Sequence, residues 1–460
     1  MELIYNVKDR PGRLKVIAFA FQQLLAILAG TITLPLIVGN GMSQSAALFG
    51  AGVGTLIYLL ITKFKSPVFL GSSFTYLGSI AAAFAGAATA AIGYIGVILG
   101  AFLAGLVYVV LSVIVKFTGT RWVNKIMPPV IVGPVVAIIA LTLAPNAINN
   151  ITKGDVIIEG AIAANPYLCL LCGLFALLVA IICSVYGKKM IKLIPFIIGI
   201  LAGYALAATF TAIGYGANIN ALKIINFDNL IHIQWIPKFA FIEAFKGFKD
   251  FNNASEFFSY FGLIAVTYVP VAFAVFAEHI ADHKNISFII NHDLLEDPGL
   301  PRTLMGDGVG SMVGAFFGGC PNTTYGESIS CIAFSKNASI ITIVVTSFLA
   351  IVLSFFGPLM AFFGTMPSCV IGGISIALYG FIASSGLRML KEVDLSDVKN
   401  IFVIATIFIA GIGGLAIKFN HFEFSPIACA FVAGVLINVL VNIKPRKKEP
   451  EKKEEENQEN

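Results

Sequence analysis

The sequence predicts an all-α polytopic membrane protein: fourteen transmembrane segments in two inverted seven-segment repeats, with short β-strands inside the third and tenth. Three observations predict it. Of 460 residues, 58% are hydrophobic and only 12% charged, with a mean hydropathy of +0.89, whereas soluble domains carry about 25% charged residues. Apolar stretches long enough to cross a ~30 Å hydrocarbon core recur from end to end. Finally, two motifs recur at similar offsets. Met127-Pro128-Pro129-Val130-Ile131-Val132-Gly133 returns as Met366-Pro367-Ser368-Cys369-Val370-Ile371-Gly372. Ser73-Phe74-Thr75-Tyr76 returns as Asn322-Thr323-Thr324-Tyr325. Each pair is seven segments apart, an odd number, so the halves enter the membrane in opposite senses.

In chain order, residues 1–13 read as a cytoplasmic N-terminus. The first repeat, 14–214, holds segments at 14–39, 44–62, 67–83, 90–115, 126–146, 166–186 and 190–214. No cleavable signal peptide is read at the start, because the apolar run after Lys15 is too long for one. The third and tenth segments are too short to span. Gly71-Ser72-Ser73-Phe74-Thr75-Tyr76 and Pro321 to Tyr325 are β-prone and bounded by Gly or Pro, so each reads as an extended piece followed by a half-helix.

Residues 215–257 mix Trp235, Lys238, Phe245, Lys246 and Phe251, as expected of an extracellular or interfacial connection with room for an amphipathic helix. The second repeat, 258–443, holds segments at 258–282, 303–318, 321–335, 338–356, 365–386, 398–417 and 424–443. The charge-dense stretch 444–460 reads as a disordered cytoplasmic tail. With the N-terminus inside, 24 of the 30 Lys and Arg residues fall on the cytoplasmic side, which puts both termini in the cytoplasm of a cell (cytoplasmic) membrane protein.

Other function classes fit poorly. There is no phosphate-binding GxxxxGK[ST] run, and five histidines show no HExxH spacing. The reading is therefore neither an ATP-driven pump nor an enzyme, with no cofactor, no metal and no nucleic-acid partner. Cys169 and Cys172 sit in plain apolar helix and read as small filler.

The chemistry lies in acids at membrane depth, where a carboxylate costs a few kcal/mol and marks an ion, proton or substrate path. Glu278 and Asp282 are four residues apart and share a helix face, placed to hold one proton between them. Glu327 follows the interrupted tenth segment, and Asp307 sits between Gly306 and Gly308. Backbone groups freed at the broken segments, with these acids, suit a small planar ligand of alternating donors and acceptors. Phe74, Tyr76 and Tyr325 are candidate flat walls.

Plainer readings exist for each. Asp282 is then a solvated helix end beside Lys284, Asp307 a turn residue, His279 and His283 interfacial or packing residues, and the aromatics ordinary core. The rival function is an ion channel or anion exchanger of the same architecture.

Glu278-His279-Ile280, Asp297-Pro298-Gly299-Leu300-Pro301-Arg302 and Pro321-Asn322-Thr323-Thr324-Tyr325-Gly326-Glu327 resemble the uracil permeases of the nucleobase–ascorbate (uracil–xanthine) transporter family. Gly71-Ser72-Ser73-Phe74 and Ala383-Ser384-Ser385-Gly386-Leu387-Arg388 match as well. The resemblance spans roughly residues 12–443. It implies a core and a gate domain, commonly a homodimer in the lipid bilayer, importing uracil with protons. It also implies that Glu278 and Glu327 hold the base, Phe74 packs on it, and the backbone at Gly326, beside Tyr325, meets its carbonyls. Proton coupling would fall to Glu278, Asp282 and Asp307, the last because purine carriers of the family have an important Asp there. Two positions depart from the pattern. Asp282 stands where similar permeases carry histidine, and Ser328 where they carry Asn. Purine carriers typically have Gln at the position of Glu327, which favours uracil over the alternative, a xanthine or purine permease.

Overall fold

The computed structural model describes residues 3–442 apart from 120–127, 159, 189–190, 192–193, 232, 252, 420–421 and 425. Met127 of the first repeated motif and the charged stretch 444–460 lie outside the described residues.

The first half runs α1 (Arg13–Val38), α2 (Gln44–Ile61), β1 (Leu70–Ser72), a 3-10 turn (Phe74–Tyr76), α3 (Leu77–Ala85), α4 (Ala90–Thr118), α5 (Pro129–Ile151), the hairpin β2 (Ile157–Ile158) and β3 (Ala161–Ile162), α6 (Pro166–Tyr186) and α7 (Pro195–Gly216). Local chemistry sets the starts. Ser43 and Thr89 cap α2 and α4 by accepting from Ala46 N–H and Ile92 N–H, and α5, α6 and α7 each open on Pro, which brings its fixed φ and lacks an N–H the first turn leaves unused. The connection carries two short helices, α8 (Asp228–Ile231) and α9 (Ala240–Gly247). Helix α9 packs against α4, with Ala240 and Ala244 buried and Phe245 exposed.

The second half runs α10 (Ala254–Ile290), α11 (Leu300–Gly318), β4 (Asn322–Thr324), α12 (Gly326–Ser335), α13 (Ile340–Ser354), α14 (Gly357–Gly364), α15 (Ser368–Met389), α16 (Val398–Ile412), the hairpin β5 (Ile417–Phe419) and β6 (Phe422–Phe424), and α17 (Pro426–Val441). Among the described residues, eight helices are long and apolar enough to cross a membrane. A ninth span results if α13 and α14, bent by 77°, count as one. The largest departure from the sequence reading is α10. It runs eight residues beyond Asp282, so that acid lies inside a helix and not at its solvated end.

Packing comes in matched pairs. Helix α10 lies on α4 as α1 lies on α13; α11 touches α4 as α2 touches α13; α6 lies on α15 as α16 lies on α5; and α6 pairs with α7 as α16 pairs with α17. Each pairing recurs when every element is exchanged for its counterpart seven segments on, as two related halves require. The elements thus sort into two packed groups. Helices α1–α4 and α9–α13 form the first, α5–α7 and α15–α17 the second. Small residues let backbones approach within the first group. A Cβ on Gly54 would stand 2.6 Å from the Gly310 carbonyl oxygen, and one on Gly105 2.6 Å from that of Gly308, the close packing that membrane helices use in place of a hydrophobic drive. The groups meet at an apolar seam where Ile32 and Leu36 of α1 approach Ile200, Phe363 and Ile371.

At the centre of the first group β1 and β4 pair antiparallel, with Leu70 opposite Thr324, Gly71 opposite Thr323 and Ser72 opposite Asn322. Backbone this deep must find partners inside the protein. The two strands supply each other's, and Ser73 N–H donates to the Pro321 carbonyl at 2.9 Å. At the far end of α12, residues 4–7 run beside the α12–α13 linker. Ile4 N–H donates to Lys336 O (2.8 Å), Ala338 N–H to Tyr5 O (2.9 Å) and Ile340 N–H to Val7 O (3.0 Å).

Candidate functional site: acids held by crossed strands

Helix α10 passes the β1–β4 crossing, and both broken segments reach it with a hydroxyl. Thr75, in the turn after β1, donates through Oγ1 to Glu278 Oε2 at 3.0 Å. Thr324, the last residue of β4, donates through Oγ1 to Asp282 Oδ2 at 2.7 Å. The two acids, one helical turn apart, are thus held by equivalent residues of the two halves. Both side chains are half-buried. Glu327 is half-buried in the first turn of α12, where the helix dipole favours a carboxylate. Beside it Gly326 is exposed, with no atom within 4 Å of where a Cβ would stand. Glu278 and Asp282 each lie within electrostatic range of Glu327 and Asp307. The arrangement is a set of acceptors on a half-open floor, next to free backbone at the start of a half-helix. It can receive the N–H groups of a ligand and offer N–H groups to its carbonyls.

The opposite face of α10 is closed. Asp307, 1% exposed, takes a hydrogen bond from His279 Nδ1 at 2.7 Å, and Thr303 Oγ1 lies 3.1 Å from His279 Nε2. His283 donates through Nδ1 to the His279 carbonyl (2.9 Å), so its Nε2 accepts from Tyr58 OH (2.8 Å). The two rings stack 4.0 Å apart and are fully buried. Of the two plainer readings, interfacial or packing, their burial leaves packing, because the two further turns of α10 carry them inside. Asp307 is correspondingly no turn residue; it sits in mid-helix.

The aromatic candidates separate. Phe74 is 8% exposed, in the turn next to Thr75. Tyr325 is 4% exposed, and its ring fills a slot that the missing side chains of Gly30 and Gly71 leave open. Tyr76 stacks on Tyr268 at 5.7 Å. The Tyr325 ring packs the scaffold, while Tyr76 also borders a small cavity beside Asp307.

Thr75, Thr324 and Gln23 escaped the sequence reading, and Ser328 entered it only as a departure from the family pattern. Thr75 and Thr324 were findable, since they occupy equivalent places in the repeated Ser73–Tyr76 and Asn322–Tyr325 motifs. The contact between Gln23 and Ser328 was not. Buried Ser328 accepts from Gln23 of α1 and from Phe69 N–H (3.3 Å), while Gln23 also reaches the Ser328 carbonyl at 3.2 Å. Gln22 and Gln23 adjoin in an apolar helix, and nothing in the run marks which of them finds such a partner.

A protein-family model described as "Permease family" (xanthine/uracil permeases) matches residues 14–418. The chain is 35% identical to a protein named uracil permease in Bacillus subtilis over 448 residues, covering 96% of both chains. It is 30% identical to the uracil permease of Escherichia coli K12 over 440 residues, covering 95% of this chain and 94% of that one. Among solved structures it resembles the transmembrane domain of the cyanobacterial bicarbonate transporter BicA. The TM-score is 0.63 at 13% identity, covering 94% of this chain and 99% of that one. The murine anion transporter Slc26a9 in its inward-facing state gives a TM-score of 0.61 at 12% identity, covering 94% and 69%. At such identities these two structures speak for the fold alone.

Proposed function

The chain belongs to the xanthine/uracil permease family, a family of transporters and not of enzymes, and from that premise we propose that it imports uracil by proton symport. It does so as a multi-pass protein of the cytoplasmic membrane with both termini inside and fourteen segments in two inverted repeats. The first packed group is the core that carries the site, the second is the gate, and the working unit is a homodimer.

The observation that carries this reading is the pair of threonine–acid bonds, Thr75 to Glu278 and Thr324 to Asp282. A uracil ring presents two N–H donors and two carbonyl acceptors. Glu278 and Glu327 accept the N–H groups, the backbone at Gly326 and Tyr325 meets the carbonyls, and Phe74 packs on the ring. Asp282 lies one turn from Glu278, so a proton on this pair reduces the charge that must cross the apolar seam. Loaded and protonated, the core shifts along the gate and releases both to the cytoplasm. The names of relatives such as the uracil permeases of Bacillus subtilis and Escherichia coli and a putative pyrimidine permease of Escherichia coli support the base.

The test is uptake of labelled uracil by proteoliposomes with and without an inward proton gradient. Gradient-driven accumulation is expected. Uptake of bicarbonate or chloride without uracil uptake would instead favour the anion transporters whose fold this chain shares.

A further inference from the structure

Beside Asp307 lies a small cavity bounded by α4, α10, α11, β4 and the turn after β1. Its polar lining is Tyr76, Tyr108, Asp307, Ser311 and Asn322. The space open to the centre of a water molecule is about 10 Å3, close to the minimum that one water requires. Three buried side-chain atoms at this cavity have no hydrogen-bond partner among the described residues: the Tyr108 hydroxyl, the Asn322 side-chain oxygen and Asp307 Oδ1, in residues 3%, 2% and 1% exposed. The Asn322 amide orientation is fixed, because its Nδ2 donates to the Gly50 carbonyl at 3.1 Å. The Oδ1 is therefore an acceptor only. Tyr108 OH is a donor in want of an acceptor. Leaving such groups bare in an apolar interior is costly.

We infer that this cavity is the binding site of one ordered water molecule, which accepts from Tyr108 and donates to Asn322 Oδ1 and to Asp307. About three hydrogen bonds are what a buried water typically makes. The donor and acceptor count suits water better than a cation, which would leave the Tyr108 proton pointing at a positive charge. The water ties α4 and α11 to β4, and Asn322 stands two residues before Thr324, the residue that bonds Asp282. Tyr108 and Asn322 are thus positioning residues. Through the water they fix how far β4 sits from α11, and hence where Thr324 meets Asp282. This deepens the transport reading, since it concerns the support of the same site.

Radiolytic hydroxyl footprinting of the full-length protein in detergent tests it, because tyrosines beside a bound water are labelled even where bulk solvent is excluded. Tyr268 is the internal control: it is fully buried and its hydroxyl also lacks a partner, but it does not line the cavity. Tyr108 is expected to label several-fold faster than Tyr268, with the rate unchanged between sodium and choline buffers. Tyr76 labelling is expected to fall in Tyr108→Phe, which removes the donor but keeps the ring. Equal labelling of Tyr108 and Tyr268 overturns the proposal, as does labelling that responds to sodium or an experimental map with no density in the cavity. These readings do not depend on what is transported, so failure here and failure of uracil uptake are separate results.

Discussion

Thr324 and Asp282 are joined by a 2.7 Å hydrogen bond that reaches from the last residue of a membrane-buried strand to a helix acid. Thr75 makes the matching bond to Glu278 one turn earlier, at 3.0 Å. Glu278 and Asp282 of α10 are therefore each held by a broken segment, and each half of the chain supplies one of the two holders. A displacement of either strand moves an acid with it.

The coupling role of Asp282 follows from this placement. Asp282→Asn keeps the side-chain oxygen that Thr324 bonds but removes the titratable site. Uracil binding by calorimetry should persist, and exchange of labelled uracil at equilibrium should continue. Acceleration of uptake by an inward proton gradient should vanish. Full gradient-driven accumulation in this variant would return the proton to Glu278 or Asp307.

Glu327 is expected to be a recognition group. Glu327→Gln replaces an acceptor oxygen by a donor and removes charge assistance, a change worth roughly 1.5–3 kcal/mol for a charged hydrogen bond. Calorimetric affinity for uracil should weaken by that amount or more, with the protein's melting temperature little altered. An unchanged affinity refutes the assignment.

Competition separates the branches of the family. Uracil should inhibit uptake of labelled uracil far more strongly than xanthine or urate does, since a carboxylate stands at the position of Glu327. Equal inhibition by xanthine would place the chain with the purine carriers.

The His279–Asp307 pair makes a stability prediction. Removing one partner of a buried pair leaves the other without its bond, at about 3–5 kcal/mol. His279→Ala strands the Asp307 carboxyl, 1% exposed, and should lower thermal stability in detergent markedly. Asp307→Asn, which keeps an oxygen facing His279 Nδ1, should be milder. If the two variants melt alike, the bond is not what holds α10 against α11.

Much of the scaffold was legible because membrane constraints write themselves into composition. Every segment read from the apolar runs meets a described helix, or a strand and half-helix, within a few residues at most ends. The β1–β4 crossing was signalled by Gly and Pro flanking polar, β-prone residues. The end of α10 was not, since residues 283–290 are mixed in polarity and His283 is buried against Tyr58 of α2, which is remote in sequence. The same limit hid the buried histidines. A histidine in a polar stretch reads as surface until the carboxylate facing it, 28 residues away, is brought to 2.7 Å. Glu278, Asp282 and Glu327 were found because charge in apolar sequence needs no partner to be conspicuous. Gln23 and its contact with Ser328 were missed because uncharged polar residues are common in such helices.

The segment 4–7 that runs beside residues 336–340 bears on how this protein can be handled. Helix α12, which carries Glu327, is held at one end by the strand crossing and at the other by this short backbone ladder. The N-terminus is consequently wired to the half-helix that carries a site residue. A fluorophore placed next to Ile4 becomes a remote readout of α12 that leaves the site itself untouched. Bulky fusions attached there tug on the same half-helix, so purification handles and reporter domains belong at the other end of the chain.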